Sequence, residues 1–427
     1  MTTTTPKPVP ISAAGKIAAL VAPSFGGCLP LRIQAWDGSV VGPAVAPLLT
    51  IRDRQALRRL LWASPELALA QAYVLGEIDC DSDLRASLRL IRRARDTSTG
   101  KQGVSPVQIV RGLAALARWR VIGPRPAAPD SQANLRGRLH SKRRDAAAIA
   151  HHYDLSNEFY ALILDESMAY SCAYWRSDAP GYTLADAQAD KFDLICDKLG
   201  LRPGTRHLDI GCGWGSLTLH AAQRYGAKVL AVTLSEQQYQ YVAAQVARRG
   251  LGDRVEVRRQ DYRDIPGGQF NSITAIEMGE HVGAGNYPMF TSRIAELLTP
   301  GGRVLIQQMS RRNKPGGGPF VEAFIAPDMH MRPVGETVAM IEDAGLEVRD
   351  VHALREHYAR TADAWYDTFN TNWDQVVDLV GEQVARVWRL YLIGGSLAFA
   401  QGRMGVDQIL AVKPGGTAAP IAQWRLR

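Results

Sequence analysis

The chain has 427 residues, 46% apolar and 22% charged, enough to bury a large core and to form two or three domains. No stretch approaches the roughly 20 uninterrupted apolar residues that cross a bilayer, and the start shows no basic-then-apolar export signal. Cys28, Cys80, Cys172, Cys196 and Cys212 are scattered without a CxxC pair, which argues against a disulfide framework or a metal site and for reduced thiols in the cytoplasm.

The net charge of +8 is uneven: residues 1–144 hold 22 Lys/Arg against 9 Asp/Glu, while the remainder is net acidic. Between Arg85 and Arg144 the basic residues are interleaved with apolar ones, in "LRASLRLIRRARD" and "VQIVRGLAALARWRVIG". At helical spacing Val110, Leu113, Ala117 and Val121 share a face, and Trp119 stands between Arg118 and Arg120. A helix of this kind fits an anionic membrane surface better than nucleic acid, although packing on its own domain would use the same pattern. Residues 1–123 therefore read as a basic, lipid-contacting N-terminal domain and the Pro- and Arg-rich 124–144 as a linker.

From residue 145 to 427 apolar runs alternate with helical patterns, as a doubly wound α/β domain requires. Seven strands are predicted, at "RHLDI", "KVLAVTL", "RVEVRR", "NSITAI", "GRVLIQQ", "LEVRDVHAL" and "VDQILAVK". A long helical stretch, Tyr358 to Gln401, precedes the last.

The first of these strands runs into a glycine turn, "HLDIGCGWGSLTLHAA". Gly211 and Gly213 let backbone approach a ligand closely, and the following helix aims its amides there. The spacing is GxGxG, not the GxGxxG of a dinucleotide site. Asp209 before the loop suits the ammonium of a methionine moiety, so S-adenosylmethionine is the first reading and NAD the second. At the next strand end Thr233, Ser235 and Gln238 suit ribose hydroxyls. At the third, Asp261 suits an adenine amine and Tyr262 its ring.

With "HHYDLSNEFY", "YSCAYW", "VTLSEQQ", "QDYRD" and "MGEHVGAGNY", the chain from His151 onward closely resembles the cyclopropane-fatty-acid synthases. The resemblance implies a seven-stranded, Rossmann-like class I methyltransferase domain that acts on the double bond of an unsaturated acyl chain. It implies a phospholipid substrate at an anionic membrane surface, peripheral membrane association and a homodimer. Tyr170 and Ser171 would join the cofactor site. Methyl transfer leaves a cation on the lipid, which aromatic faces can stabilise without trapping; Tyr170, Tyr174, Trp175, Tyr358 and Trp365 are candidates. Loss of a proton then gives a cyclopropane, the expected product; hydride migration first gives an exocyclic methylene, the precursor of a methyl branch.

The family's base is understood to be bicarbonate. Carried over, its holders are the backbone at Cys172, Glu280, Tyr358 and the backbone at Met309. The histidine of the pattern is replaced by Gln307, followed by a second amide, Gln308. A Gln amide both donates and accepts but carries no charge. Either bicarbonate is retained, Glu280 or another carboxylate takes the proton, or Gln307 only bonds neighbouring backbone. "RRNKPGGGPFVEAFIAPDMHMRP" reads as a movable cover whose Phe320, Phe324, Ile325, Met329 and Met331 would line an acyl channel or simply the core. A nucleic-acid methyltransferase would want an NPPY-like clamp where this chain has "IEMGEHVG". A non-catalytic lipid-binding protein would not need the intact glycine loop.

Overall fold

The computed structural model describes residues 12–80, 83–97, 119, 121–133, 144, 155–267, 270–313 and 315–416. The chain divides into two compact units, one of residues 1–132 with 382–387, the other of residues 133–381 with 388–427.

In the first unit α1 (Ala13–Val21), β1 (Arg32–Gln34), β2 (Val40–Val41), β3 (Leu48–Ile51), α2 (Gln55–Trp62), α3 (Pro65–Val74), β4 (Ile78–Cys80) and α4 (Leu84–Thr97) follow one another. The strands form a sheet of order β2-β1-β3-β4. Strands of two to four residues carry too little alternation to read from sequence. Buried Arg59 holds α2 to the chain before β4 through Glu77, at 2.8 Å. "LRASLRLIRRARD" forms most of α4. The amphipathic run that includes Val110, Leu113 and Ala117 lies outside the described residues, and Val121 at its end is buried.

The second unit holds α5 (Asn157–Ala161), α6 (Leu184–Leu199), β5 (Arg206–Ile210), α7 (Ser216–Tyr225), β6 (Lys228–Thr233), α8 (Glu236–Arg248), β7 (Val255–Arg259) and β8 (Phe270–Ile276). There follow α9 (Tyr287–Leu297), β9 (Leu298–Ser310), α10 (Pro319–Phe324), α11 (Val334–Asp343), β10 (Glu347–Ala353), α12 (Arg355–Thr371), α13 (Trp373–Val380), α14 (Glu382–Ala400), of which residues 382–387 fall in the first unit, and β11 (Gly405–Val412). All seven predicted strands are present and form one sheet of order β10-β11-β9-β8-β5-β6-β7. β11 runs antiparallel to both its neighbours, and the other pairings are parallel. Near-continuous apolar runs such as Val304–Ile306 are buried on both faces, as strands covered by helices must be. The predicted helical stretch before β11 is three helices, broken at Asn372 and at Gly381, whose φ is 79°.

Strand order reverses between β5 and β8. In a doubly wound sheet the chain leaves opposite sides there, which opens a crevice at the strand C-termini. The loops after β5, β6, β7, β8 and β9 therefore converge on one edge. Among the described residues no helix is long and apolar enough to cross a membrane.

Candidate active site

The crevice is a cavity lined by Tyr170, Ser171, Lys191, Asp209, Gly211, Gly213, Thr233, Gln238, Asp261, Tyr262, Glu277 and Met278, among others. Gly211 turns the chain at φ 75°, and a Cβ there would sit 2.9 Å from Met278 Cγ. Asp209 is buried, with one oxygen accepting from Thr218 at 2.7 Å and the other from Thr274 at 2.9 Å. Each oxygen keeps a lone pair, but the two threonines fix the carboxylate's orientation. Thr233 donates to Gln238 at 2.7 Å, which joins two of the three ribose candidates.

Nine of the ten cofactor candidates line this cavity. The exception is Ser235: its hydroxyl accepts from Gln238 N and caps α8, so it positions Gln238 from behind. Asp261 is at the cavity but carries a close pairing with Arg263, at 2.6 Å.

On the catalytic side the centre is a residue that sequence reasoning passed over. Glu277, just beyond β8, has φ 50°, a left-handed conformation uncommon in a residue other than glycine. Its Oε1 accepts from the Cys172 backbone N–H at 2.8 Å and from Gln307 Nε2 at 2.9 Å. Its Oε2 accepts from the Tyr358 hydroxyl at 2.5 Å. Gln307 Oε1 in turn accepts from Gln408 Nε2 at 2.9 Å, which fixes the amide with its nitrogen towards Glu277. Three of the groups expected to hold bicarbonate thus converge on a protein carboxylate. Burial raises the pKa of Glu277, and the bonds from Tyr358, Cys172 and Gln307 oppose that rise.

Glu280 stands three residues on, 1% exposed. Its Oε1 accepts from Met309 N at 2.5 Å, and its Oε2 has no hydrogen-bond partner among the described residues. Burial, then the charge of Glu277, pushes Glu280 up to about 8, so it is protonated at neutral pH. Gln308 turns the other way and takes a hydrogen bond from Tyr287 at 2.5 Å while donating to Thr337 at 2.9 Å. The paired glutamines therefore serve opposite sides of β9.

Cys172 is fully buried, and burial drives its thiol well above its ordinary range, which makes it inert packing. Three of the five aromatic candidates gather: Tyr170 packs on Trp365 at 5.2 Å, and Tyr358 lies 5.9 Å from Trp365 and stacks on Phe399 at 4.2 Å. Tyr174 packs on His357, and Trp175 lies under Arg360. His357 accepts from Trp175 N at 2.9 Å, a tie between segments far apart in the chain, and His281 is half-buried and lowered by desolvation to about 4, hence neutral. No group of acids, cysteines and histidines among the described residues suits a metal.

The expected cover is tied down. Gly316 N and Gly317 N bond Met331 O and Met329 O, and His330 N bonds Glu280 O at 2.8 Å. Phe320, Phe324, Ile325, Met329 and Met331 are all buried.

The family model described as mycolic acid cyclopropane synthetase matches residues 140–409. The chain belongs to this family. It is 35% identical over 90% of its length to a probable fatty acid methyltransferase of Pseudomonas putida, covering 92% of that protein. It is 33% identical over 91% of its length to the tuberculostearic acid methyltransferase UfaA1 of Mycobacterium tuberculosis, covering 88% of it. Among solved structures, the mycolic acid cyclopropane synthase CmaA1 complexed with SAH and CTAB superposes with a TM-score of 0.60 at 31% identity. That match covers 63% of this chain and 98% of CmaA1. The protein is an S-adenosylmethionine-dependent methyltransferase, and the glycine turn, Asp209, Thr233, Gln238, Asp261 and Tyr262 line one cavity at the strand C-termini.

Two outcomes follow from the carboxylates. Glu277→Gln removes the carboxylate that Cys172, Gln307 and Tyr358 hold and is expected to lower kcat by about 10²–10⁴-fold, whereas Cys172→Ser, which keeps the backbone donor, retains substantial activity; steady-state kinetics with an unsaturated lipid checks both. Glu280 is raised from its usual 4.5, so its contribution to stability is full below pH 4.5 and lost as pH rises towards 8. Glu280→Gln should therefore gain stability relative to the parent at pH 8 but not at pH 4, read from urea midpoints; an equal shift at both would contradict the assignment.

Proposed function

We propose that this enzyme methylates the double bond of an unsaturated acyl chain in a phospholipid, with Glu277 as the base, to give an exocyclic methylene. The observation that carries the reading is the Glu277 carboxylate on the donors of Cys172, Gln307 and Tyr358. With those donors engaged, no bicarbonate is needed to complete the site, and none enters the steps below.

S-adenosylmethionine, when bound, supplies a methyl group electrophilic enough for an isolated alkene. The residues do the rest. Tyr170, Tyr358, Trp365 and Phe399 offer aromatic faces to the cation that forms on the acyl chain, and no ionised thiol stands near to trap it. A hydrogen then migrates with its electron pair from the methylated carbon to the cationic one, leaving a more substituted cation. Glu277 takes a proton from the new methyl, and the C–H electrons become the C=C bond. A base held by three donors and by its own backbone takes that proton slowly, which favours migration before ring closure. The whole-length match to a tuberculostearic acid methyltransferase supports the branched product.

The basic first unit supports the phospholipid assignment. The exposed Leu60, Leu61 and Trp62 end α2, which begins next to Arg54 and carries Arg58, a mixture of apolar and basic residues of the sort that enters an anionic headgroup layer.

Lipids from cells expressing the enzyme with an oleate supply test the proposal by mass spectrometry and proton NMR. A gain of one CH2 with vinylidene protons is expected. Ring protons in their place would replace the product assignment with a cyclopropane, and no CH2 gain would overturn the substrate.

A further inference from the structure

The three donors that hold Glu277 come from separate elements, yet one helix bears on two of them. α12 supplies Tyr358 directly, and its next turn carries Thr361, which is fully buried. The Thr361 hydroxyl donates to His357 O at 2.7 Å, and its oxygen accepts from Ala173 N and from Trp175 Nε1, both at 3.1 Å. A hydroxyl offers one proton and two lone pairs, so here every one is used.

Those bonds hold the backbone around Cys172, where Cys172 and Ala173 are both fully buried. Cys172 N–H donates to Glu277 Oε1 at 2.8 Å, and the next N–H, that of Ala173, goes to Thr361. Trp175 N donates to His357 Nδ1 at 2.9 Å, four residues before Thr361 and on the same face of α12. The segment is thus fastened to α12 at Ala173 and at both nitrogens of Trp175. Without the Thr361 oxygen the Ala173 N–H would be buried and unpaired, a cost the segment can relieve only by shifting, and Cys172 N shifts with it. A valine has nearly the same shape but no lone pair, so packing alone does not account for the threonine.

We propose that Thr361 is a positioning residue for proton abstraction: by anchoring Ala173 it fixes the Cys172 N–H against Glu277. The inference rests on Glu277 as the base and is independent of which product forms. The charged and titratable groups that face Glu277 are Glu280 beside it, Lys191 on α6, the Cys172 thiol, Tyr358 on α12 and Tyr391 on α14. Replacing Thr361 removes none of them. The bond from Cys172 favours the charged form of Glu277, so weakening it raises that acid and moves the acidic limb of kcat to higher pH.

The test is kcat against pH for the parent, Thr361→Val, Thr361→Ser and Glu277→Gln. Thr361→Val should lower kcat at neutral pH by about tenfold, leave KM for the lipid within about twofold and raise the limb by about half a pH unit or more. Thr361→Ser keeps the oxygen and should restore both rate and limb. Should Thr361→Val fail to fold, Thr361→Ala takes its place with the same expectation. A lowered kcat with an unmoved limb, or an equal loss in Thr361→Ser, would mark a purely structural role and overturn the proposal. Persistence of the parent's limb in Glu277→Gln is a separate result: it removes Glu277 as the base, and with it the group through which Thr361 acts.

Discussion

A half-buried carboxylate held by donors from three distant parts of the chain organises this molecule. Glu277 is reached by Cys172 from the segment before α6, by Gln307 from β9 and by Tyr358 from α12. Gln408 of β11 sets the orientation of Gln307 from behind. Withdrawing a carboxylate from water is costly, and a left-handed backbone at a residue other than glycine adds about 1–3 kcal/mol. The fold bears both costs at one residue because charge-assisted hydrogen bonds return much of the first. Strain held in this way is expected where geometry matters to chemistry.

The site holds a second acid three residues away, and the two differ in environment rather than in kind. Glu277 accepts three hydrogen bonds that favour its charged form; Glu280 accepts one from Met309 and has a bare oxygen. Two charges so near one another are unfavourable, so Glu280 stays protonated and the charge is left to Glu277. Lys191 adds a positive charge close enough to favour an ionised Glu277 without bonding it directly. Glu277 and Tyr170 both line the cavity, and behind Tyr170 an aromatic cluster continues through Trp365 to Tyr358.

The sheet was legible because each of its strands is an apolar run with turn signals at its ends, and the glycine turn lies where spacing placed it. That the cofactor candidates would gather at one cavity was also readable, since strand C-termini in this fold share one edge. Ser235 is the exception: a serine that caps a helix and one that meets a ligand look alike in sequence. Gln307 could be singled out as an amide where a histidine was expected, but its partner could not. The partner sits thirty residues earlier, in a segment whose second acid, Glu280, drew the attention. Nothing in local sequence marks a left-handed glutamate. Gln408 was hidden for the same reason, because only the antiparallel register of β9 and β11 brings it opposite Gln307. The short strands of the first unit were illegible because two to four residues do not establish a period.

The central claim is that the base belongs to the polypeptide. Turnover of an unsaturated phospholipid in buffer stripped of carbon dioxide, compared with the same buffer supplemented with bicarbonate, measures this directly. Equal rates in the two are expected. A rate that collapses without bicarbonate and returns when it is added would show that Glu277 is not the proton acceptor.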